Sequence, residues 1–273
     1  MTARPFIKMH GLGNDFLVLD ARAQPVALHA AQVRALANRH TGIGFDQLVL
    51  IEPGSQADVR LRFWNSDGGE VAACGNGSRA AAALLGGHHS IETAGGLLDG
   101  KAVEGGAEVD MGVPRWGWDA VPLAYAMDTL HLPLAWTEHD PALTDPVALS
   151  VGNPHVVFFV SDTAAIDLER IGPVIEHDPV FPERVNVGIA QVAARDHLIL
   201  RVWERGAGAT LACGTGAVAA VAAAQRRALV DGRVRVSLPG GDLVVTRRDD
   251  GHLLLAGPAV IAFTGEVDLE HYQ

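Results

Sequence analysis

Two cysteines stand out as the reactive residues of this sequence, because each lies in a near-copy of one short motif. Residues 73–82 are ACGNGSRAAA and residues 212–221 are ACGTGAVAAV. A glycine-rich loop followed by small, helix-favouring residues predicts that a helix begins at each cysteine. There the unpaired N–H groups and the positive end of the helix dipole favour the reactive thiolate. The glycines also let backbone N–H groups approach an anion, such as a carboxylate, closely.

The two motifs belong to a longer internal repeat. An offset of 139 positions aligns residues 62–83 with residues 201–222 without a gap. The same offset matches three positions outside that block, with Gly13, Asn14 and Gln47 falling on Gly152, Asn153 and Asn186. After an insertion, TAGGL at 93–97 resembles LPGGDL at 238–243. Two copies of this length indicate a duplicated domain.

The elements that must position the thiols are predicted to be a sheet and a helix in each half. Short apolar or alternating runs predict strands at 15–20, 47–52, 59–64, 155–160 and 198–203. Residues 30–40 have helical periodicity. We expect the first domain to comprise residues 1–117 with a C-terminal strand at about 262–273, and the second to comprise residues 118–261. The Pro-rich stretch 121–146 fits a connection with one or two short elements, and residues 260–269 a strand returning to the first domain.

Composition narrows the class of protein. The 273 residues are 48% hydrophobic and 19% charged, which is typical of a well-packed globular chain. The net charge of −11 disfavours nucleic acid and anionic membranes as partners and favours a small ligand. No signal peptide is evident, and no apolar run approaches the ~18–20 residues of a membrane span. We expect a cytoplasmic protein.

Two thiol–helix units acting on one ligand suit an inversion at carbon. One thiolate would remove an α-proton, and the other thiol would return a proton to the opposite face. The carboxylate-binding glycine loops would stabilise the negative charge that develops on the substrate. The copies differ at three positions near the cysteines, where Asn65, Ser66 and Asn76 become Glu204, Arg205 and Thr215. A Glu-Arg pair in one copy suggests recognition of an amino acid's ammonium and carboxylate groups.

Other classes of function fit less well. Both motifs match the loose dinucleotide pattern G-x-G-x-x-A, but no acidic residue follows at the expected spacing. A pyridoxal phosphate enzyme needs a lysine, and the chain has only Lys8 and Lys101. The histidines have no metal-binding spacing, so no metal is expected. A thiol redox protein would more often carry C-x-x-C. Two thiolates close together in space would oxidise readily, so we expect oxidation to inactivate the protein reversibly. A non-catalytic amino-acid binder would tolerate serine at both cysteines.

The polar residues near the motifs also suit ordinary structural roles. Asparagine is common in turns, which applies to Asn14, Asn65, Asn153 and Asn186. Gln47 could cap a strand, His155 could be a packing histidine, and Glu204-Arg205 could be a surface ion pair of little energetic value. Because the asparagines fall on polar residues at equivalent positions of the other copy, a shared ligand site is the better interpretation.

The sequence closely resembles the diaminopimelate epimerase family, and the resemblance covers nearly the whole chain. The segments that carry it are FIKMHGLGNDF (6–16), GIGFDQ (42–47), NSDGGEVAACGNGSR (65–79), VGNPHVV (151–157), RVNVGIA (184–190), WERGAG (203–208) and ACGTGAV (212–218). One departure is Ala209, where the family commonly has Glu. Within this class of enzyme, a proline-type racemase or another amino-acid epimerase is the alternative.

The resemblance implies a fold, a reaction and a site. The fold is α+β, with two pseudo-symmetric domains, each a barrel-like, mostly antiparallel sheet around a central helix, and an active site in the cleft between them. The reaction is the cofactor-independent epimerisation of LL- to meso-diaminopimelate by a homodimer. Cys213 is implied to accept the α-proton and Cys74 to donate one, with the roles exchanged in reverse. His155 and Glu204 are implied to be auxiliary groups. The residues implied to hold the substrate are Asn14, Gln47, Asn65, Gly75, Asn76, Asn153, Asn186, Glu204, Arg205, Gly214 and Thr215.

Overall fold

The computed structural model describes residues 3–72 and 74–272. Its helices are α1 (Ala30–Ala37), α2 (Gly75–Leu85), α3 (Leu168–Glu176) and α4 (Gly214–Arg226), with a 3-10 turn at Leu269–His271. Its strands are β1 (Ala3–Gly11), β2 (Asn14–Asp20), β3 (Gln47–Pro53), β4 (Val59–Asn65), β5 (Glu70–Val71), β6 (His88–Thr93), β7 (Gly96–Val103), β8 (Gly106–Asp110), β9 (Val147–Ser150), β10 (Pro154–Phe159), β11 (Asn186–Ala194), β12 (His197–Glu204), β13 (Gly208–Thr210), β14 (Arg233–Leu238), β15 (Gly241–Arg247), β16 (Leu253–Pro258) and β17 (Val260–Asp268).

The chain forms two compact units. Unit 1 comprises the residues up to Asp110 and those from Ala256 onward, and unit 2 comprises Met111–Leu255. In unit 1, β1 pairs antiparallel with β2 and β17. β2 pairs parallel with β3, β3 antiparallel with β4, and β4 parallel with β6. The antiparallel pairs β6–β7 and β7–β8 follow. β17 (Val260–Asp268) lies where the sequence suggested a strand, and it pairs with β1.

Unit 2 repeats this pairing. β10 pairs antiparallel with β9 and parallel with β11, β11 pairs antiparallel with β12, and β12 pairs parallel with β14. β14 then pairs antiparallel with β15. In both copies, most pairs are antiparallel and two are parallel, at equivalent places in the chain order. The strands that the sequence predicted are all present, and the predicted helix at 30–40 is α1.

Each unit is a sheet curled around one helix, as the α+β prediction required. α2 packs against β1, β2, β3, β6, β7 and β8, and α4 packs against β9, β10, β11, β12, β14 and β15. The helices can be enclosed because their side chains are small: Ala80 and Ala81 are fully buried in α2, and Ala219 and Ala220 in α4. α2 ends at Gly86, whose φ of 70° is a conformation that glycine adopts without strain.

Residues 111–146 contain no helix or strand beyond two isolated bridges, Arg115 with Ser150 and Ala135 with Thr144. The stretch nevertheless packs tightly, because Val121, Leu132 and Trp136 belong to the hydrophobic core of unit 2. Among the described residues, no helix is both long and apolar enough to cross a membrane.

Candidate active site

Both cysteines lie at the N-cap of the central helix of their unit. The backbone of Cys74 is extended, with φ −144° and ψ 109°, and its Sγ accepts a hydrogen bond from the Gly77 N–H at 3.2 Å. The backbone of Cys213 is also extended, and its Sγ accepts from the Gly216 N–H at 3.3 Å. An N-cap side chain normally offers oxygen to these unpaired donors. Here sulfur takes that place in both copies, so the helix start fixes each thiol.

At the glycine three residues after each cysteine, there is little room for a side chain. A Cβ on Gly77 would lie 3.0 Å from Phe63 and 3.3 Å from the Cys74 sulfur. A Cβ on Gly216 would lie 2.9 Å from Val202 and 3.2 Å from the Cys213 sulfur. Phe63 and Val202 are equivalent positions in the repeat. A side chain at either position would therefore press against Phe63 or Val202 and against the sulfur that accepts the N–H.

A hairpin turn braces the loop before each thiol in the same way. The Gly95 N–H donates to the Ala72 carbonyl at 2.9 Å, and the Gly240 N–H donates to the Leu211 carbonyl at 2.8 Å. These are the turns that the sequence repeat matched across an insertion. Each lies between two antiparallel strands that follow the central helix.

In unit 1, amide side chains surround the thiol. The Cys74 thiol donates to Gln47 Oε1 at 2.8 Å, and Gln47 Nε2 donates to Asn65 Oδ1 at 3.0 Å. β3 and β4 bring the two amides together, because Gln47 and Asn65 are register partners. The structure therefore places the predicted residues Gln47 and Asn65 beside Cys74.

A second chain of polar contacts in unit 1 begins at Arg79. Arg79 Nη1 donates to Asn76 Oδ1 at 3.0 Å, and Asn76 Nδ2 donates to Asn14 Oδ1 at 3.3 Å. Asn14 Nδ2 then donates to Asp46 at 3.0 Å. Arg79 is fully buried, and this burial lowers its pKa to about 10. Arg79 was not singled out from the sequence; the available signal was one charged residue in a helix of small ones, where the second copy has Val218.

In unit 2, a carboxylate replaces the amide beside the thiol. Glu204 occupies the position of Asn65, and Thr210 Oγ1 donates to its Oε1 at 2.6 Å. Burial raises the pKa of Glu204, against hydrogen bonds from Thr210 and Cys213 that lower it. Thr210 was also missed from the sequence, although it follows the departure at Ala209, which is exposed on β13.

The helix N-terminus favours the Cys213 thiolate through the Gly216 N–H, but it does not decide the net shift in the pKa of this thiol. Burial and the neighbouring Glu204 charge raise the pKa of this thiol well above its usual value. Hydrogen bonds from Thr215 and from the Gly216 N–H act in the opposite direction but are outweighed. The physical reason is that Cys213 is only 3% exposed, so its thiolate would lose most of its hydration.

His155 is joined to this thiol through two side chains. Its Nε2 lies 2.9 Å from Asn153 Oδ1, and Asn153 Nδ2 donates to Thr215 Oγ1 at 3.3 Å. Thr215 Oγ1 lies 3.6 Å from Cys213 Sγ. Burial, assisted by the positive charge of Arg205, lowers the pKa of His155 to about 3. This histidine is therefore neutral at physiological pH.

Asn186 and Arg205 lie at the same corner but contact backbone. Asn186 Nδ2 donates to the Pro154 carbonyl at 2.7 Å, and its Oδ1 accepts from the Arg205 N–H at 3.0 Å. The Arg205 guanidinium is exposed and donates to the Glu183 carbonyl at 3.0 Å. Glu204 and Arg205 therefore point to different partners. Gly75 and Gly214 open the first turns of α2 and α4, and Thr215 follows Gly214 there, so the backbone N–H groups of all three lie next to the thiols.

Glu176 supports the turn that carries Glu204, a role that was not evident from the sequence. Its Oε2 accepts from the Trp203 indole at 2.7 Å, and its Oε1 accepts from the Gly206 N–H at 2.9 Å. Among the described residues, no cluster of three or more His, Cys, Asp or Glu side chains could hold a metal ion.

Comparison with known proteins gives one consistent result. The family model described as diaminopimelate epimerase matches residues 6–117 and 147–266. The diaminopimelate epimerase of Zymomonas mobilis is 55% identical over 264 residues, covering 96% of this chain and 97% of that protein. The diaminopimelate epimerase of Erythrobacter litoralis is 55% identical over 268 residues, covering 98% of each.

Solved structures share the fold at lower identity. A phenazine biosynthesis protein of Bacillus anthracis has a TM-score of 0.69 at 18% identity, covering 98% of this chain and 100% of that one. A hydroxyproline epimerase of Agrobacterium vitis also has a TM-score of 0.69, at 14% identity, covering 98% of this chain and 91% of that one. The duplicated α+β architecture is thus confirmed, and the identity over nearly the full length shows that the chain belongs to the diaminopimelate epimerase family.

Proposed function

We propose that the protein is a cofactor-independent isomerase that converts LL-diaminopimelate to meso-diaminopimelate in the cytoplasm, in lysine and peptidoglycan precursor synthesis. The observation that carries the proposal is the pair of matched thiol–helix units, each with a sulfur held by a helix N–H, in a chain of this family. Thiols are suitable bases for an α-proton because the thiolate is a strong nucleophile and base once formed.

The reaction has two proton transfers. The Cys213 thiolate takes the α-proton, and the electron pair left on the α-carbon is delocalised into the substrate carboxylate. The Cys74 thiol then gives its proton to the opposite face of the carbon, which inverts the configuration. One turnover leaves Cys213 protonated and Cys74 ionised, which is the form that runs the reverse reaction. Backbone N–H groups at Gly75, Gly214 and Thr215 would bind the substrate carboxylate at the positive helix ends.

Glu204 links substrate binding to the ionisation of Cys213. Its charge opposes formation of the thiolate while the site lacks a cation. A substrate ammonium beside Glu204 would neutralise that charge and so lower the pKa of Cys213 when the substrate is present. Asn14, Gln47, Asn65, Asn76 and Asn153 supply amide donors and acceptors near the thiols, and in our proposal they hold the remaining polar groups of the substrate together with Asn186 and Arg205.

Exchange with solvent deuterium tests the reaction directly. Reduced protein is mixed with LL-diaminopimelate in deuterium oxide, without added cofactor, and followed by proton NMR. We expect the α-proton signal to be lost as the meso isomer appears, because the proton on Cys74 equilibrates with solvent before it is delivered. Cys74→Ala and Cys213→Ala should each lower the rate by orders of magnitude. A non-catalytic binder would show no conversion even with both cysteines present.

The result that would overturn the proposal is folded, reduced protein that neither exchanges the α-proton nor forms the meso isomer. Exchange with proline instead would assign the site to another amino-acid epimerase. A retained rate in both cysteine variants would remove the thiols from the mechanism while leaving the reaction in place.

We further propose that the protein acts as a homodimer through β17. Val260, Ile261 and Phe263 are 44%, 51% and 51% exposed on this strand, and exposed apolar side chains gathered in one place mark interaction surfaces. Light scattering should give twice the chain mass, and Phe263→Asp should give the mass of one chain. A wild-type monomer at assay concentration would refute the dimer without affecting the proposed reaction.

A further inference from the structure

The hydrogen bonds that end at Cys213 have a direction. The amide of Asn153 is oriented by both of its neighbours: Nδ2 donates to Thr215 Oγ1 at 3.3 Å, and Oδ1 faces His155 Nε2 at 2.9 Å. Two acceptors cannot share this last contact, so His155 must carry its proton on Nε2. The Thr215 oxygen, having accepted from Asn153, keeps its own hydrogen for another acceptor. Cys213 Sγ lies 3.6 Å from this oxygen, within range to accept that hydrogen.

The equivalent contacts in unit 1 run in the opposite direction. Asn76 occupies the position of Thr215 and donates to Asn14, which in turn donates to Asp46. That chain begins at the Arg79 cation and ends at a carboxylate. The two copies thus keep the polar positions of the repeat but reverse the hydrogen-bond polarity. In unit 2 the chain leads to the sulfur of Cys213.

The contact with Thr215 opposes the effect of the Glu204 charge on the ionisation of Cys213, and the other charged groups around α4 act elsewhere. On the strands packed against α4, Glu204 acts on Cys213 directly, and His155 reaches it only through Asn153 and Thr215. The other charged side chains of these strands have partners elsewhere or are exposed: Arg201 bonds to the Thr163 and Ile166 carbonyls, His197, Arg235 and Asp242 interact with one another and Ser237, and Arg233 and Arg247 are exposed.

We propose that Thr215 is a positioning residue whose hydroxyl, oriented by His155 through Asn153, donates a hydrogen bond to the Cys213 thiolate. The role of Cys213 as a base rests on the proposed function, whereas the hydrogen bond itself does not. The relay holds a neutral donor on the sulfur and so favours the thiolate against the Glu204 charge. Because His155 is buried and neutral, the relay keeps the same polarity across physiological pH.

The test uses Cys74→Ala protein, in which Cys213 is the single cysteine left. Its alkylation by iodoacetamide is measured as a function of pH across the alkaline range, since the rate follows the thiolate fraction. Thr215→Val keeps the shape of the side chain but removes the hydroxyl. We expect its profile to move to higher pH by about one unit, a rate about tenfold lower at fixed pH. Thr215→Ser should restore the original profile.

A matched control separates this hydroxyl from its neighbour. Thr210→Val removes the hydrogen bond to Glu204, and this loss favours the neutral acid. With less negative charge beside Cys213, its alkylation profile should move to lower pH or stay in place. Asn153→Leu breaks the relay before Thr215 and should give a smaller upward shift than Thr215→Val. Circular dichroism confirms that each variant is folded.

An unchanged profile in folded Thr215→Val protein would overturn the relay, as would a Thr215→Ser profile equal to that of Thr215→Val. These readouts need no substrate, so they distinguish the two proposals. Loss of the relay with intact epimerisation refutes the hydrogen bond alone, and an intact relay without epimerisation refutes the function alone. If Thr215→Val fails to fold, the Asn153→Leu profile decides, and no shift there also refutes the relay.

Discussion

Cys213 is buried and Glu204 beside it is half-buried, and the ionisation of one opposes that of the other. The repeat places Glu204 where unit 1 has Asn65, so the opposition exists in one copy only. The hydrogen bond from Thr210 favours the Glu204 charge, which keeps the Cys213 proton in place. The Glu204 charge thus disfavours ionisation of the thiol in unit 2.

Removing the Glu204 charge should make Cys213 more reactive. In Cys74→Ala protein we expect Glu204→Gln to lower the pKa of Cys213 and to increase its alkylation rate at fixed pH by about tenfold, because the nearest negative charge is lost. Glu183→Gln, an exposed neighbour of the same site, is the control and should leave the rate unchanged. A rate for Glu204→Gln equal to that control would show that burial alone sets the ionisation.

The residue types at this site could be predicted from the sequence, but their contacts could not. Asn153, His155, Glu204 and Thr215 were all singled out, and the structure brings them to one thiol. An asparagine side chain both donates and accepts, so its orientation depends on neighbours that only the folded chain supplies. For the same reason the net effect of burial on Cys213 outweighed the helix terminus, which was the part visible in the sequence.

At the scale of elements, the start of each central helix is set by one short motif. The extended cysteine, the glycine that donates to its sulfur and the run of alanines recur in α2 and α4. The start of both helices at the thiol could be predicted from this motif. The burial of Arg79 in α2 could not, because a charged residue in an alanine-rich helix normally marks a solvated face.

A methyl group at the first turn of α4 should disturb both packing and chemistry. We expect Gly216→Ala to lower the free energy of unfolding by about 1–3 kcal/mol, because its Cβ would overlap Val202 and the Cys213 sulfur. Gly232→Ala, where an added Cβ would meet no atom within 4 Å, should change it by less than about 0.5 kcal/mol. Denaturant unfolding of the two variants measures the difference. Equal stability would mean that the strand moves aside at little cost.

For the whole molecule, the duplication was visible in the sequence because equivalent residues keep one spacing over long stretches. Residues 111–146 were harder, since they have no counterpart in the repeat and no periodic pattern, yet supply core side chains such as Trp136. Their packing is directed by tertiary contacts rather than by local propensity.

Stability should fall in mild acid because of one buried group. The pKa of His155 is lowered to about 3, so in mild acid the unfolded chain binds a proton at this residue and the folded chain does not. This group's contribution is complete above its unfolded pKa and is lost as the pH falls. We expect protonation of His155 in the unfolded chain to lower the free energy of unfolding by about 1.4 kcal/mol for each pH unit below about pH 6.5.

Two histidine variants test whether His155 causes this loss of stability. His155→Gln should flatten the pH dependence of the unfolding free energy between about pH 7 and about pH 5, whatever its absolute stability. His40→Gln, at an exposed histidine, should retain the wild-type slope. Parallel curves for wild type and His155→Gln would show that His155 is protonated in the folded protein.

The pairing of β1 with β17 also constrains how the molecule can be assembled during synthesis. Ala3 pairs with Asp268, so the edge of β1 that binds β17 stays unpaired until residue 268 has been made, although β2 can pair with the other edge much earlier. At roughly 5–20 residues per second this wait lasts some tens of seconds. Unit 2 lies entirely within that interval and can fold first. The nascent first sheet must therefore remain soluble while this edge is open, until β17 has been made and pairs with β1.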